Sequence, residues 1–242
     1  MCIQRIFNVI SVSPMILSVA HIKGGVGKSL LAVNVAAVLA QRGCDVLLID
    51  SDEQGSATTF AEIRAELDGL SKFAAIRLYG AAIRQQMRQL TGKYNEIVID
   101  TGGRDTGSLR AALTVADVVL IPFQPRSVDL WAGAQIGALV AEARHVNEGL
   151  RACSILNMAD VQGRDNEDAF DALKTIEGVE LLRLAIVRRK AFPNAFSNGL
   201  SVTDQTARER DPKAVDELLS VVNALYTQKV DNGYQDASLR EV

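Results

Sequence analysis

Residues 21–30, HIKGGVGKSL, set three glycines and two lysines between an apolar run, MILSVA (15–20), and a helical pattern, LLAVNVAAVLAQRG, that closes at Gly43. Strand, glycine loop and helix in that order build a cradle for an anion. Glycines accept dihedrals and close approaches that side chains forbid, so the backbone N–H groups of Gly24, Gly25, Val26 and Gly27 can converge. The helix entered through Leu30 adds the partial positive charge of its N-terminus at the same point. Lys28 reaches the β- and γ-phosphates of a nucleotide held there, and the Ser29 hydroxyl is available to Mg2+. The common phosphate-loop pattern wants glycine at 22; this chain has Ile22, followed by a second lysine, Lys23.

The rest of the chain repeats the same alternation. Continuous apolar runs at 15–20, 45–50, 96–100, 117–123, 153–158 and 181–187 suit strands covered on both faces. Helical patterns fall between them at 28–41, 56–68, 81–91, 106–114, 127–148 and 165–176, and a last helix starts at Asp211-Pro212 and runs to about Lys229. The expected architecture is α/β: a mostly parallel, doubly wound sheet flanked by helices, a P-loop NTPase fold. With 242 residues, 48% of them hydrophobic, one such domain is expected over 15–230. An N-terminal arm (1–14) precedes it and a polar tail (231–242) follows.

The formal net charge of −3 excludes a globally basic nucleic-acid binder, so DNA binding must rest on a local patch. Arg188, Arg189 and Lys190, with Arg208, Arg210 and Lys213, are the candidates, although Glu209 and Asp211 sit among them. Cys2, Cys44 and Cys153 lack metal or redox spacing, and His21 and His145 are isolated. No apolar run reaches the ~18 residues of a membrane span and the first residues lack a cleavage site, so a cytoplasmic protein is expected.

Two strand ends carry carboxylates. LLIDSDEQGS places Asp50 and Asp52 at the end of the second apolar run, where a ligand crevice is expected, although either could instead cap the following helix. EIVIDTGGRD ends in Asp100, which suits a carboxylate that holds Mg2+ through water, followed by two glycines able to offer N–H donors. Arg104 and Asp105 beyond them can pair with each other.

The stretch KGGVGKS resembles the deviant Walker A box of the ParA/MinD superfamily of P-loop ATPases, most of all the short ParA-type partition ATPases. The resemblance extends over about residues 15–225. It implies that Lys23 is the signature lysine, which reaches the phosphates bound by a second subunit across a nucleotide-sandwich homodimer. It further implies that Asp52, in a D-x-D-P-Q-G-like box with Glu53 in place of proline, positions the attacking water. By the same resemblance Asp50 lies near the Mg2+ shell, Asn157 reads adenine and Pro193, in AFPNAFSNGLSV, packs on the base. The expected activity is slow ATP hydrolysis. The expected role is DNA partition: an ATP-bound dimer holds DNA without sequence preference, on the nucleoid, and a ParB-like centromere-binding adaptor stimulates hydrolysis. A related ATPase that positions another cargo, or serves conjugative transfer, has the same chemistry. A MinD-like membrane-bound regulator needs a C-terminal amphipathic basic helix, and NGYQDASLREV does not supply one. Trp131 is expected in core or dimer packing.

Overall fold

The computed structural model describes residues 14–103, 106–125, 130–161, 164–206 and 208–235. The arm before Pro14, the Arg104–Asp105 pair, residues 126–129 and the tail beyond Gln235 lie outside the described residues. The elements run β1 (Met15–Val19), α1 (Lys28–Gln41), β2 (Val46–Ser51), α2 (Ser56–Ala65), β3 (Ala74–Arg77), α3 (Ala81–Leu90), β4 (Glu96–Thr101), α4 (Thr106–Leu113), β5 (Val118–Phe123), α5 (Leu130–Arg144), β6 (Arg151–Ala159), α6 (Arg164–Leu173), β7 (Glu180–Val187), α7 (Ala191–Ser197) and α8 (Pro212–Gln235). The seven strands form one sheet in the order β3-β2-β4-β1-β5-β6-β7, and every pairing is parallel.

Each central strand feeds two cores, as a sheet buried on both faces must. Leu17 and Val19 of β1 point to one face, which is covered by α1, α2, α7 and α8. Ile16 and Ala20 point to the other, which is covered by α3, α4, α5 and α6. Helix α1 is buried from Leu31 to Ala40 without a break, since sheet and neighbouring helices surround it. Its one polar residue in that stretch, Asn34, is hydrogen-bonded at both ends of its amide: Oδ1 accepts from Ser201 Oγ (2.9 Å) and Val202 N (3.2 Å), and Nδ2 donates to Leu30 O (2.7 Å). Asp211 Oδ1 accepts from the N–H groups of Lys213 and Ala214, capping α8 at the expected Asp-Pro start.

Three features differ from the sequence expectations. A seventh strand, β3, lies at the sheet edge; it is short and only partly buried, so it carries no strong apolar run. The AFPNAFS stretch forms helix α7 despite Pro193, which falls in the first turn where the missing N–H costs no helical bond. Helix α8 continues to Gln235, past the expected end near Lys229 and into the segment expected to be a polar tail.

The register decides where chemistry can occur. Val19 and Asp50 both pair with Asp100, so β1, β2 and β4 end together, and the glycine loop leaves the sheet at that edge. Strand order also turns at β1, with β4 and β2 on one side and β5 and β6 on the other; ligand crevices form at such turning points.

Candidate functional site

A cleft of about 790 Å3 opens over these strand ends, lined by Gly24, Gly25, Gly27, Lys28, Ser29 and Leu30 from the glycine loop and α1. Asp52, Glu53, Gln54 and Ser56 close it on the β2 side, Gly102 and Gly103 on the β4 side, and Met158, Pro193, Phe196 and Ser197 at the far end. Its size is that of a small-molecule site. Gly27 holds φ +88°, and a Cβ there would lie 2.2 Å from Asn157 Nδ2, so only glycine fits. A Cβ on Gly103 would meet backbone N of Gly24 at 2.7 Å, so the segment after β4 presses directly on the loop.

Lys28 is buried and its ammonium donates to Lys23 O at 2.8 Å, bringing its charge back over the loop. Burial lowers its pKa, while Asp100 and Asp52 work in the opposite direction. Of the two carboxylates, Asp100 acts on Lys28 the more strongly. It is fully buried, and neither carboxylate oxygen completes a hydrogen bond. Burial pushes its pKa up to about 8; the facing Ser29 hydroxyl and Lys28 pull it down, and Asp50 and Asp52 add to the rise. A buried, unsatisfied carboxylate facing a hydroxyl is a donor set suited to a hard cation such as Mg2+.

Asp50 has a different task. Its Oδ1 accepts from Asp52 N (3.1 Å), and its Oδ2 accepts from Thr58 N (2.8 Å) and Thr58 Oγ1 (2.9 Å). The carboxylate thus secures the first turn of α2, the capping use left open by the sequence, and Asp100 is the unpartnered member of the pair. Asp52 Oδ1 accepts from Gln54 N (3.1 Å), and its side chain borders the cleft.

The raised Asp100 pKa has a consequence in the absence of metal. A carboxyl group that titrates near 8 when folded and near 3.8 when unfolded binds more protons in the folded state between those values, so its contribution to stability falls as pH rises through that window. Asp100→Asn removes this dependence. The variant is expected to gain more in melting temperature over the parent at pH 8 than at pH 5, both in EDTA; equal gains at the two pH values would contradict it.

Several expected residues lie elsewhere. Lys23 is half-buried and does not line the cleft; it borders an adjacent groove with Ile22, Arg110, Trp131 and Gln135. Asn157 does not line the cleft either. Its Nδ2 donates to Val26 O at 2.7 Å beneath the loop, and the cleft-facing neighbour is Met158, held at φ +53°. Pro193 lines the far end of the cleft, joined by Phe196 and Ser197, which had no motif to mark them. Trp131 is 82% exposed, which removes the core-packing expectation for it. Cys153 is a core thiol whose pKa burial pushes up to about 12, as suits an inert cysteine.

The basic candidates split. Arg189 pairs with Glu217 at 2.7 Å and with Asp211 at 3.6 Å, so its charge is neutralised locally. That second contact sets the 188–190 segment beside the start of α8. Arg188, Lys190, Arg208, Arg210 and Lys213 are exposed around it.

Comparison with known proteins bears on the family and the fold. The family described as the CobQ/CobB/MinD/ParA nucleotide binding domain matches residues 17–202. Maintenance of carboxysome distribution protein A from Halothiobacillus neapolitanus is 30% identical over 213 residues, covering 86% of this chain and 94% of that protein. Protein ParA from Rhizobium radiobacter is 27% identical over 207 residues, covering 84% and 91%. Among solved structures, a Cyanothece McdA–ATP complex superposes with a TM-score of 0.73 at 16% identity, covering 89% of this chain and 97% of that one. The fold is therefore the ParA-like P-loop NTPase fold.

Proposed function

The chain belongs to the CobQ/CobB/MinD/ParA nucleotide-binding family of P-loop ATPases, and within it we propose an ATP-hydrolysing positioning ATPase whose cargo is DNA. The observation that carries the reading is the convergence of the glycine loop, Lys28 and Ser29 on the buried, unsatisfied Asp100. Loop N–H groups and Lys28 neutralise the phosphates of ATP. Ser29 and Asp100 would hold Mg2+, which supplies further positive charge to the phosphates when bound. Asp52, the carboxylate at the cleft rim, orients the attacking water. Pro193 and Phe196 cover the base.

Lys23 acts in trans. It sits in the same loop as Lys28 yet borders the outer groove rather than its own cleft, and this supports a role across an ATP-bound homodimer. A cation that only a second subunit supplies makes hydrolysis depend on dimerisation. The DNA surface is Arg188, Lys190, Arg208, Arg210 and Lys213, which bind phosphates without reading sequence. A ParB-like adaptor bound to the cargo stimulates hydrolysis and resets the cycle. Among the described residues no helix is long and apolar enough to cross a membrane.

The test is binding to random-sequence duplex DNA with ATP, ADP or no nucleotide across a salt series. Binding that needs ATP, falls steeply with salt and is lost in Lys23→Ala and in the Arg188→Glu/Lys190→Glu double variant is the expected result. ATP-dependent dimers that ignore DNA would overturn the DNA surface. The similarity to a carboxysome distribution protein favours a second reading, in which the same ATPase cycle positions a protein assembly. Deleting the gene separates the two: replicon loss per generation rises under the first and stays at the parental rate under the second.

A further inference from the structure

The backbone carbonyls of the glycine loop are held from below by side chains of neighbouring strands. Gln124, just after β5, donates from Nε2 to Gly25 O at 2.8 Å and lies 3.2 Å from Met158 Sδ. Asn157, near the end of β6, donates from Nδ2 to Val26 O at 2.7 Å and packs against Gly27 where a Cβ would be. These are consecutive carbonyls, gripped by two amides from adjacent strands, and neither amide lines the cleft.

A peptide unit is planar and trans, so its C=O and the N–H of the next residue point in opposite directions. Drawing Gly25 O toward Gln124 turns the Val26 N–H away from Gln124. Drawing Val26 O toward Asn157 turns the Gly27 N–H away from Asn157. Neither amide lines the cleft, whereas Gly25 and Gly27 do, so turning these N–H groups away from the amides is the orientation a cradle facing the cleft requires. Glycine loops gain freedom at an entropic cost, and two fixed peptide planes recover pre-organisation that the glycines alone do not supply.

We propose that Gln124 and Asn157 are positioning residues that pre-set the phosphate cradle, and that Asn157 acts on the phosphates through the loop rather than on the base. This inference rests on the nucleotide-binding reading above. It predicts a loss that is blind to the base. Gln124→Met and Asn157→Leu, each removing a donor while keeping bulk, should weaken ATP, GTP and inorganic tripolyphosphate by the same factor. Loss of one net hydrogen bond makes that factor about fivefold to tenfold. The ATP:GTP affinity ratio should stay at the parental value, and the nucleotide-induced rise in melting temperature should shrink.

Calorimetric titration of parent and variants with the three ligands reads these effects. An Asn157 variant that loses ATP affinity but keeps tripolyphosphate affinity would overturn the proposal and assign Asn157 to the base. Parental affinity for all three ligands in both variants would also overturn it. A parent that binds none of the three removes the nucleotide reading itself, and this inference with it. If Asn157→Leu does not fold, the smaller Asn157→Ala removes the same donor and carries the same test, beside Gln124→Met at the half-exposed strand end.

Discussion

Lys28→Ala is expected to reduce ATP hydrolysis by at least about 10^2-fold, with the fold intact, because charge on the transferring phosphoryl group is stabilised chiefly by fixed cations and donors. The position makes the loss severe. Lys28 is held at the first residue of α1, and its ammonium is already brought over the loop by its bond to Lys23 O. No other lysine of the same subunit borders the cleft among the described residues, so none within the subunit replaces it. Folding should survive, because a buried ammonium is costly and its removal relieves that desolvation. Asp100 then loses the favourable charge of Lys28 and is driven further toward its neutral form. The measurement is steady-state phosphate release beside thermal unfolding of the nucleotide-free protein. Hydrolysis within a few-fold of the parent would contradict the assignment of Lys28. Loss of activity together with loss of the fold would instead make Lys28 a structural residue.

Arg64→Ala is expected to cost about 3–5 kcal/mol of stability, the range for removing one partner of a buried ion pair. Arg64 and Asp204 are 1% and 3% exposed, with Nη1 to Oδ2 at 2.6 Å and Nη2 to Oδ1 at 3.2 Å. Arg64 also donates to Ser71 O and Gly199 O, so one guanidinium joins the end of α2 to two separate loops. Asp204 in turn accepts from Ser201 N and Gln41 Nε2. The loss reaches the site, because residues 199–204 follow directly on α7, which carries Pro193, Phe196 and Ser197 of the cleft wall. Arg64→Lys should recover only part of the stability, since an ammonium cannot reproduce the two-pronged contact. Urea unfolding of the three proteins tests this. A midpoint for Arg64→Ala equal to the parent's would show that the pair contributes nothing.

Much of the architecture was legible from residue patterns alone. The six long strands are continuous apolar runs, and a sheet covered on both faces demands such runs. Strand β3 escaped because an edge strand of four residues, three partly buried and one exposed, makes no such demand. Helix α7 escaped because Pro193 reads as a breaker unless its place in the first turn is known. The basic residues were visible as charge, but not their pairing: only the fold sets Glu217, 28 positions away, against Arg189.

The candidate site divides along the same line. The glycine loop with Lys28 and Ser29 is a local object, contiguous in the chain, whose properties follow from glycine dihedrals and a helix N-terminus. Its residues therefore marked out the candidate phosphate site before any packing was known. Asp50 and Asp100 looked alike as strand-end carboxylates. Thr58, in the helix that follows, takes Asp50 in the capping use the sequence left open, whereas only tertiary structure left Asp100 buried with neither oxygen in a hydrogen bond, since burial depends on what distant segments bring near. Likewise, a strand-end asparagine has an amide able to serve base or backbone, and only the approach of β6 to the loop directs Asn157 to Val26, 131 residues away.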